Sequence, residues 1–168
     1  MNRIVGRTVL VTGATAGIGE ACARLLASRG ARLVILGRRE ERLFALAEEL
    51  MKEEEVPVQA RVVDVRDRDA VAALRDELEE MDFMPDVVIN NAGKARGFDL
   101  AHEADLDDWD EMVDTNVKGL LYVTRAFLPR MVERNSGHVV NIGSTAGRWS
   151  YPKGNTYCGT KFAVRGIS

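Results

Sequence analysis

Short runs that are apolar at nearly every position alternate with helically spaced stripes along the whole chain. "TVLVTG" (8–13), "RLVILG" (32–37), "VQARVVDV" (58–65), "DVVIN" (86–90) and "GHVVNIGS" (137–144) predict five strands. Strands apolar on both faces belong in a parallel sheet covered by helices on each side. The segments between them carry the helices. Ile18, Ala21, Cys22, Leu25 and Leu26 fall on one helical face, with Gly30 placed to stop that helix. Leu43, Leu46, Ala47, Leu50 and Met51 mark a second stripe, and Val71, Leu74, Leu78 and Met81 a third. A long helix runs through Val117, Leu120, Leu121, Thr124, Leu128 and Met131, and another opens near Asn155. Right-handed crossovers turn this order into an α/β, doubly wound, mostly parallel sheet.

The 168 residues, 46% hydrophobic, suit a single domain, and no linker, repeat or low-complexity segment divides them. Basic and acidic residues number 23 and 26 in mixed order, for a net charge of −3. That excludes a broad basic field for nucleic acid or an anionic membrane. No apolar run reaches the ~20 residues of a membrane span. Cys22 and Cys158 show neither metal nor disulfide spacing, so no metal site and a cytoplasmic location are expected. Cys22 reads as core, and His102 and His138 as isolated structural or surface residues. Trp109 reads as a packing residue behind an aspartate N-cap.

"TGATAGIGEA" (12–21) joins the first strand to the first helix. Gly13, Gly17 and Gly19 follow G-x-x-x-G-x-G. Glycine permits a sharp turn and close approach of a phosphate, and the helix N-terminus offers free N–H groups and partial positive charge. The turn is read as a dinucleotide pyrophosphate site; the alternative is a ligand-free strand-to-helix turn.

Further along stand "NNAG" (90–93), Asn116 in the long helix, Ser144 after the fifth strand, and Tyr157 four residues before Lys161. Taken in order with the glycine turn, these strongly resemble the short-chain dehydrogenase/reductase family, from about residue 5 onward. "NIGSTAG", "TAGIGE" and "DTNVKGL" are similar to its bacterial NADP-dependent serine and 3-hydroxy acid dehydrogenase subgroup. The resemblance implies a Rossmann-like dinucleotide-binding domain over 1–168 and catalytic roles for Asn116, Ser144, Tyr157 and Lys161. It implies that Gly13, Thr15, Gly17, Ile18 and Gly19 cradle the cofactor. Asp64 and Val65 would border the adenine, with Asp64 accepting from its amino group. Asn90, Ala92 and Gly93 would line the cofactor, and Tyr157 and Lys161 would touch its nicotinamide end.

The tyrosine–lysine spacing also has a physical reading. A phenol titrates near pH ~10, so acid–base work at neutral pH needs positive charge beside it. An ammonium at ~4–5 Å supplies about 3–4 kcal/mol at an effective dielectric near 20. The i, i+4 spacing on a helix puts both groups on one face. Ser144 would hydrogen-bond the substrate oxygen, and Asn116 would hold a water linking Lys161 to solvent. Cys158 lacks a base partner and reads as a small packing residue.

The second strand ends in Gly37, where NAD-preferring members carry an acid, and Arg38 and Arg39 follow. Guanidinium groups suit a phosphate, so the expected cofactor is NADP(H). Arg96 and Arg148 are both candidates for a substrate carboxylate, near Trp149 and Tyr151, and the sequence favours neither. The expected partner is a small alcohol or carbonyl substrate, with a homo-oligomer for the full-length protein. Family members continue past the tyrosine–lysine pair through two more strands and a substrate-covering loop. The chain is therefore expected to be incomplete at its C-terminal end, inactive alone, and either poorly soluble or self-associating through its fifth strand. Two readings stay open: a reductase, and a nucleotide-binding fragment or sensor that turns nothing over.

Overall fold

The computed structural model describes residues 4–168. Strands β1 (Thr8–Thr12), β2 (Arg32–Gly37), β3 (Val58–Val62), β4 (Val87–Asn90) and β5 (His138–Asn141) form one sheet in the order β3-β2-β1-β4-β5. All four pairings are parallel, as the unbroken apolar runs predict. Helices α1 (Gly17–Ala27), α2 (Glu40–Glu54), α3 (Arg68–Glu80), α4 (Leu106–Val113), α5 (Leu120–Glu133) and α6 (Asn155–Ile167) make the crossovers and the final segment. The strand order reverses between β1 and β4, which opens a crevice at the carboxyl ends of these strands.

Successive strand residues point to opposite faces, so the sheet splits the core in two. On one face Val9, Val11, Leu33 and Ile35 pack with Ala23, Ala27, Leu43 and Leu46 of α1 and α2. On the other, Leu10, Val34, Leu36 and Val88 meet Val71, Leu74 and Leu78 of α3 and Val123, Phe127 and Met131 of α5. Asp67 and Asp105 cap α3 and α4 through their carboxylates, the latter ahead of Trp109 as expected.

Two helical faces differ from the sequence reading. In α1 the buried stripe is Gly19, Ala23 and Ala27, while Ile18 and Leu25 are 61% and 58% exposed and Cys22 is half-buried. Small residues win this face because the helix runs hard against the glycine turn. In the long helix, Leu121 and Leu128 point outward and Val123 and Phe127 point inward. Leu120 and Met131 of the expected stripe are buried, so the inward face of α5 is Leu120, Val123, Phe127 and Met131. A π-helical segment, Asp114–Gly119, joins α4 to α5. Met51 and Met81 also emerge at the surface, and β3 ends at Val62, so Asp64 and Val65 lie in the loop beyond it.

Candidate active site

A groove of about 780 Å³ runs over the carboxyl ends of the strands. Its lining includes Gly13, Thr15 and Ile18 from the β1–α1 turn, Arg38 and Arg39 after β2, and Asp64 and Val65 after β3. Ala92, Gly93 and Lys94 follow β4, Ile142 and Gly143 follow β5, and Tyr157 and Lys161 come from α6. Six segments distant in sequence thus meet where the topology predicts a ligand crevice.

The β1–α1 turn is braced from the β4 loop. Thr12 Oγ1 accepts from the backbone N–H groups of Asn91 and Ala92 at 3.0 and 2.8 Å. Asn91 Nδ2 donates to the carbonyls of Thr12 and Gly13 at 2.9 and 3.2 Å. Gly13 has φ +66°, and an added Cβ there would meet Ala92 Cα at 3.0 Å. The first turn of α1 follows Ala16, which offers no side-chain cap, so its N–H groups stay available to an anion. Gly17 and Gly19 are not part of the groove lining: Gly17 starts the helix at the surface, and Gly19 is buried against the Gly13 carbonyl.

At the other end, Lys161 is 7% exposed, and its Nζ donates to the Ile142 carbonyl at 2.9 Å. Burial pushes its ammonium below the usual lysine pKa. Tyr157 is half-buried one turn earlier on the same helix. Ser144 begins a 3₁₀ turn, Thr145–Gly147, with its Oγ accepting from the Ala146 N–H at 3.1 Å. A Cβ on Gly147 would lie 2.4 Å from the Lys161 carbonyl, so this turn sits directly on the backbone of α6. A Cβ on Gly93 would lie 3.3 Å from Asn116 Oδ1 and 3.7 Å from Lys161 Nζ. Residues 93, 116 and 161 therefore converge.

Asn116 is 2% exposed, in the π-helical segment, and its amide bonds both the β4 loop and α6. Oδ1 accepts from the Lys94 N–H at 2.7 Å, and Nδ2 donates to the Lys94 carbonyl at 2.8 Å and to Thr160 Oγ1 at 3.0 Å. Thr160 in turn donates to the Tyr157 carbonyl at 2.8 Å. The Asn116 side chain thereby clamps the β4 loop to the helix of Tyr157. Asn90 is outside the groove lining; its Nδ2 donates to Thr124 Oγ1 and Asn141 Oδ1, both at 2.9 Å, and its Oδ1 is buried with no hydrogen-bond partner among the described residues. The adjacent Asn91 lines the groove.

The residues after β2 and β3 make ion pairs the sequence reading missed. Asp64 accepts from Arg66 through Nε at 3.0 Å and Nη2 at 2.6 Å, and lies 3.5 Å from Arg38 Nη1. Partial burial works to raise its pKa, but the Arg66 hydrogen bonds and the Arg66 and Arg38 charges hold it below the usual range. Glu111 on α4 pairs with Lys94, with Arg96 at 3.1 Å and with Arg66 at 3.6 Å. The Lys94 hydrogen bond is the main cause of its lowered pKa. Arg39 donates through Nε and Nη2 to Thr15 Oγ1, at 3.0 and 2.7 Å. Among the described residues no group of three or more histidine, cysteine, aspartate or glutamate side chains is placed to hold a metal, and no helix is long and apolar enough to cross a membrane.

Burial of Lys161 gives a pH test. Its folded pKa is depressed, so below that value the buried ammonium is present and its desolvation opposes folding. The opposition fades as pH rises through the folded pKa toward the unfolded value near ~10.4, above which both states are neutral. Lys161→Met is therefore expected to gain relative to the parent as pH falls and to lose that gain toward pH ~10. Urea unfolding at several pH values measures it; a pH-independent difference contradicts the assignment.

Residues 7–168 match the family described as "short chain dehydrogenase". The NADP-dependent 3-hydroxy acid dehydrogenase YdfG of Salmonella typhi is 51% identical over 160 residues, covering 95% of this chain and 63% of that protein. Sulfoacetaldehyde reductase 2 of Chromohalobacter salexigens is 48% identical over 158 residues, covering 94% of this chain and 62% of its own length. Among solved structures, serine dehydrogenase from Escherichia coli superimposes with a TM-score of 0.88 at 48% identity, covering 96% of this chain and 73% of that one. The chain thus spans less than two thirds of the length of these curated relatives. With the five-stranded parallel sheet, the glycine turn and the tyrosine–lysine helix all in the matched region, the chain belongs to the short-chain dehydrogenase family.

Proposed function

We propose that the protein is an NADP(H)-dependent oxidoreductase, built on one dinucleotide-binding domain spanning 1–168, that interconverts a small hydroxy acid or related alcohol and its carbonyl form. The carrying observation is that Tyr157 and Lys161 line the same groove as Arg38 and Arg39. One end suits proton transfer and the other suits a phosphate. The fit to a dinucleotide rests on Gly13, where a Cβ would crowd Ala92, and on the uncapped start of α1. Gly13, Thr15 and Ile18 would hold the pyrophosphate, Arg39 and Arg38 the 2′-phosphate, and Lys161 the nicotinamide ribose.

When bound, the nicotinamide supplies hydride to the substrate carbon or accepts it. The Tyr157 hydroxyl gives its proton to the developing alkoxide, or removes it in the oxidative direction. Lys161 places positive charge one helical turn away, held by Ile142, and so stabilises the phenolate. Ser144 donates to the reacting oxygen. Asn116 and Thr160 keep α6 registered against the β4 loop. The relatives named for 3-hydroxy acid and sulfoacetaldehyde oxidoreduction support an anionic substrate. Arg96 is held by Glu111, whereas Arg148 lies over the Trp149 ring at 6.0 Å. Arg148 is thus the better placed of the two to meet a substrate carboxylate.

NADPH oxidation across a panel of 3-oxo acids and small aldehydes, run beside an NADPH titration, tests this. Tight binding with no turnover of any carbonyl would leave a nucleotide-binding protein and overturn the oxidoreductase reading.

Cofactor preference is expected to depend more on Arg39 than on Arg38. Arg38 lies between two carboxylates, at 3.5 Å from Asp64 and 4.0 Å from Glu111. Arg39 holds only the neutral Thr15 hydroxyl and can turn to a phosphate without leaving a carboxylate bare. A charge-assisted hydrogen bond contributes roughly 1.5–3 kcal/mol, so Arg39→Ala should weaken NADPH binding about tenfold or more and change NADH little. Equal losses for both cofactors contradict this.

A further inference from the structure

Two non-glycine residues with left-handed backbone stand directly before Tyr157. Lys153 has φ +66° and Asn155 φ +31°, on either side of Gly154. Residues other than glycine rarely adopt this region, and asparagine tolerates it better than most. Such a conformation persists only where surrounding contacts hold it. Gly154 is buried, and a Cβ there would lie 2.8 Å from Tyr151 Cε2. The turn is thus packed tightly at its centre.

The same turn is tied to the loop between β4 and α4. Asn155 Nδ2 donates to the Asp99 carbonyl at 2.7 Å, across 56 positions of sequence. Beside it, Lys153 Nζ lies 5.5 Å from the centroid of the Phe98 ring. Residues 91–100 of that loop have no regular structure of their own. Asn116 joins the start of the loop, at Lys94, to Thr160 of α6. Tyr157 therefore lies between two attachments, at Asn155 and at Thr160, to one loop.

We propose that Asn155 is a positioning residue for Tyr157. This rests on the oxidoreductase reading above, in which the Tyr157 phenol moves the proton. Gly154 gives α6 no side-chain cap. The Asn155 amide instead pins the first turn of the helix to Asp99, and so sets where the phenol meets the substrate oxygen.

Asn155→Gly and Asn155→Asp both suit a left-handed backbone and both remove the amide donor. Each is compared with the parent by single-turnover NADPH oxidation, by NADPH titration, and by fluorine NMR after labelling with 3-fluorotyrosine. A misplacement of about 1 Å can cost about 100-fold in rate, so each variant should lower the single-turnover rate by about tenfold or more. NADPH affinity should stay within about twofold, since Arg38, Arg39 and the glycine turn are untouched. The chain has three tyrosines, and the Tyr157 signal is assigned by its loss in Tyr157→Phe. That signal should shift or broaden in both variants, while that of Tyr122 on α5 stays in place. A variant that unfolds moves the Tyr122 signal too, and the other variant then decides. A Tyr157 signal that does not change, or an undiminished rate in a folded variant, overturns the proposal alone. A parent that binds NADPH and reduces no carbonyl overturns the oxidoreductase reading with it.

Discussion

Tyr157→Phe is expected to lower the rate of NADPH-coupled carbonyl reduction by about 100-fold or more while changing NADPH affinity less than about twofold. The substitution removes one oxygen, and a positioned general acid contributes typically 10²–10⁴-fold. Tyr157 lies at the end of the groove opposite Arg38 and Arg39, so the phosphate contacts are untouched. The ring stays packed and α6 keeps its backbone bonds, including the Thr160 hydroxyl to the Tyr157 carbonyl. Lys161→Ala should behave differently. It removes the buried cation and its bond to Ile142, so both turnover and cofactor affinity should fall. Stopped-flow single-turnover rates beside fluorescence titrations separate the two cases. If Tyr157→Phe kept more than a few per cent of the parent rate, the proton would have to come from another group.

The parts of this site legible in the sequence are those governed by local spacing. Tyr157 and Lys161 need only one turn of helix to share a face. Gly13 needs only a strand before it and a helix after it. The sheet was legible for the same reason, because an uninterrupted apolar run has few alternatives to a buried parallel strand. What was not legible depends on contacts between distant segments. The Asn116–Lys94 and Asn116–Thr160 bonds join residues 22 and 44 positions apart. Glu111 draws Lys94, Arg96 and Arg66 together only because α4 passes over two loops. The Asn90 Nδ2 bond to its register partner on β5, Asn141, joins residues 51 positions apart and was likewise not legible. The α1 face was misread because periodicity weighs large apolar residues, whereas this interface selects the smallest. A signal was present in Gly19, Ala23 and Ala27, three small residues at i, i+4 and i+8 directly after a glycine turn.

That same close approach sets the largest expected loss of stability. Gly19→Ala adds one methyl group to a helix, which in open surroundings is stabilising by about 1 kcal/mol. Here the Cβ would lie 2.4 Å from the Gly13 carbonyl oxygen and 2.4 Å from Asn91 Nδ2. Neither neighbour can retreat freely. The Gly13 carbonyl belongs to the turn, and Asn91 Nδ2 holds both the Thr12 and Gly13 carbonyls. Overpacking costs typically 1–3 kcal/mol, and each hydrogen bond lost adds roughly 0.5–1.5 kcal/mol. Against the helix-propensity gain, a net loss of about 2–3 kcal/mol is expected, lowering Tm by roughly 5–10 °C for a chain of this size. NADPH affinity should fall as well, since the displaced atoms form the floor of the pyrophosphate turn. Gly159→Ala is the matched control. Gly159 lies mid-helix in α6 with nothing within 4 Å of an added Cβ, so the same substitution should raise Tm. Thermal unfolding of the two variants beside the parent decides it. Opposite signs are required, and a Gly19→Ala protein as stable as the parent would mean that α1 does not approach the glycine turn this closely.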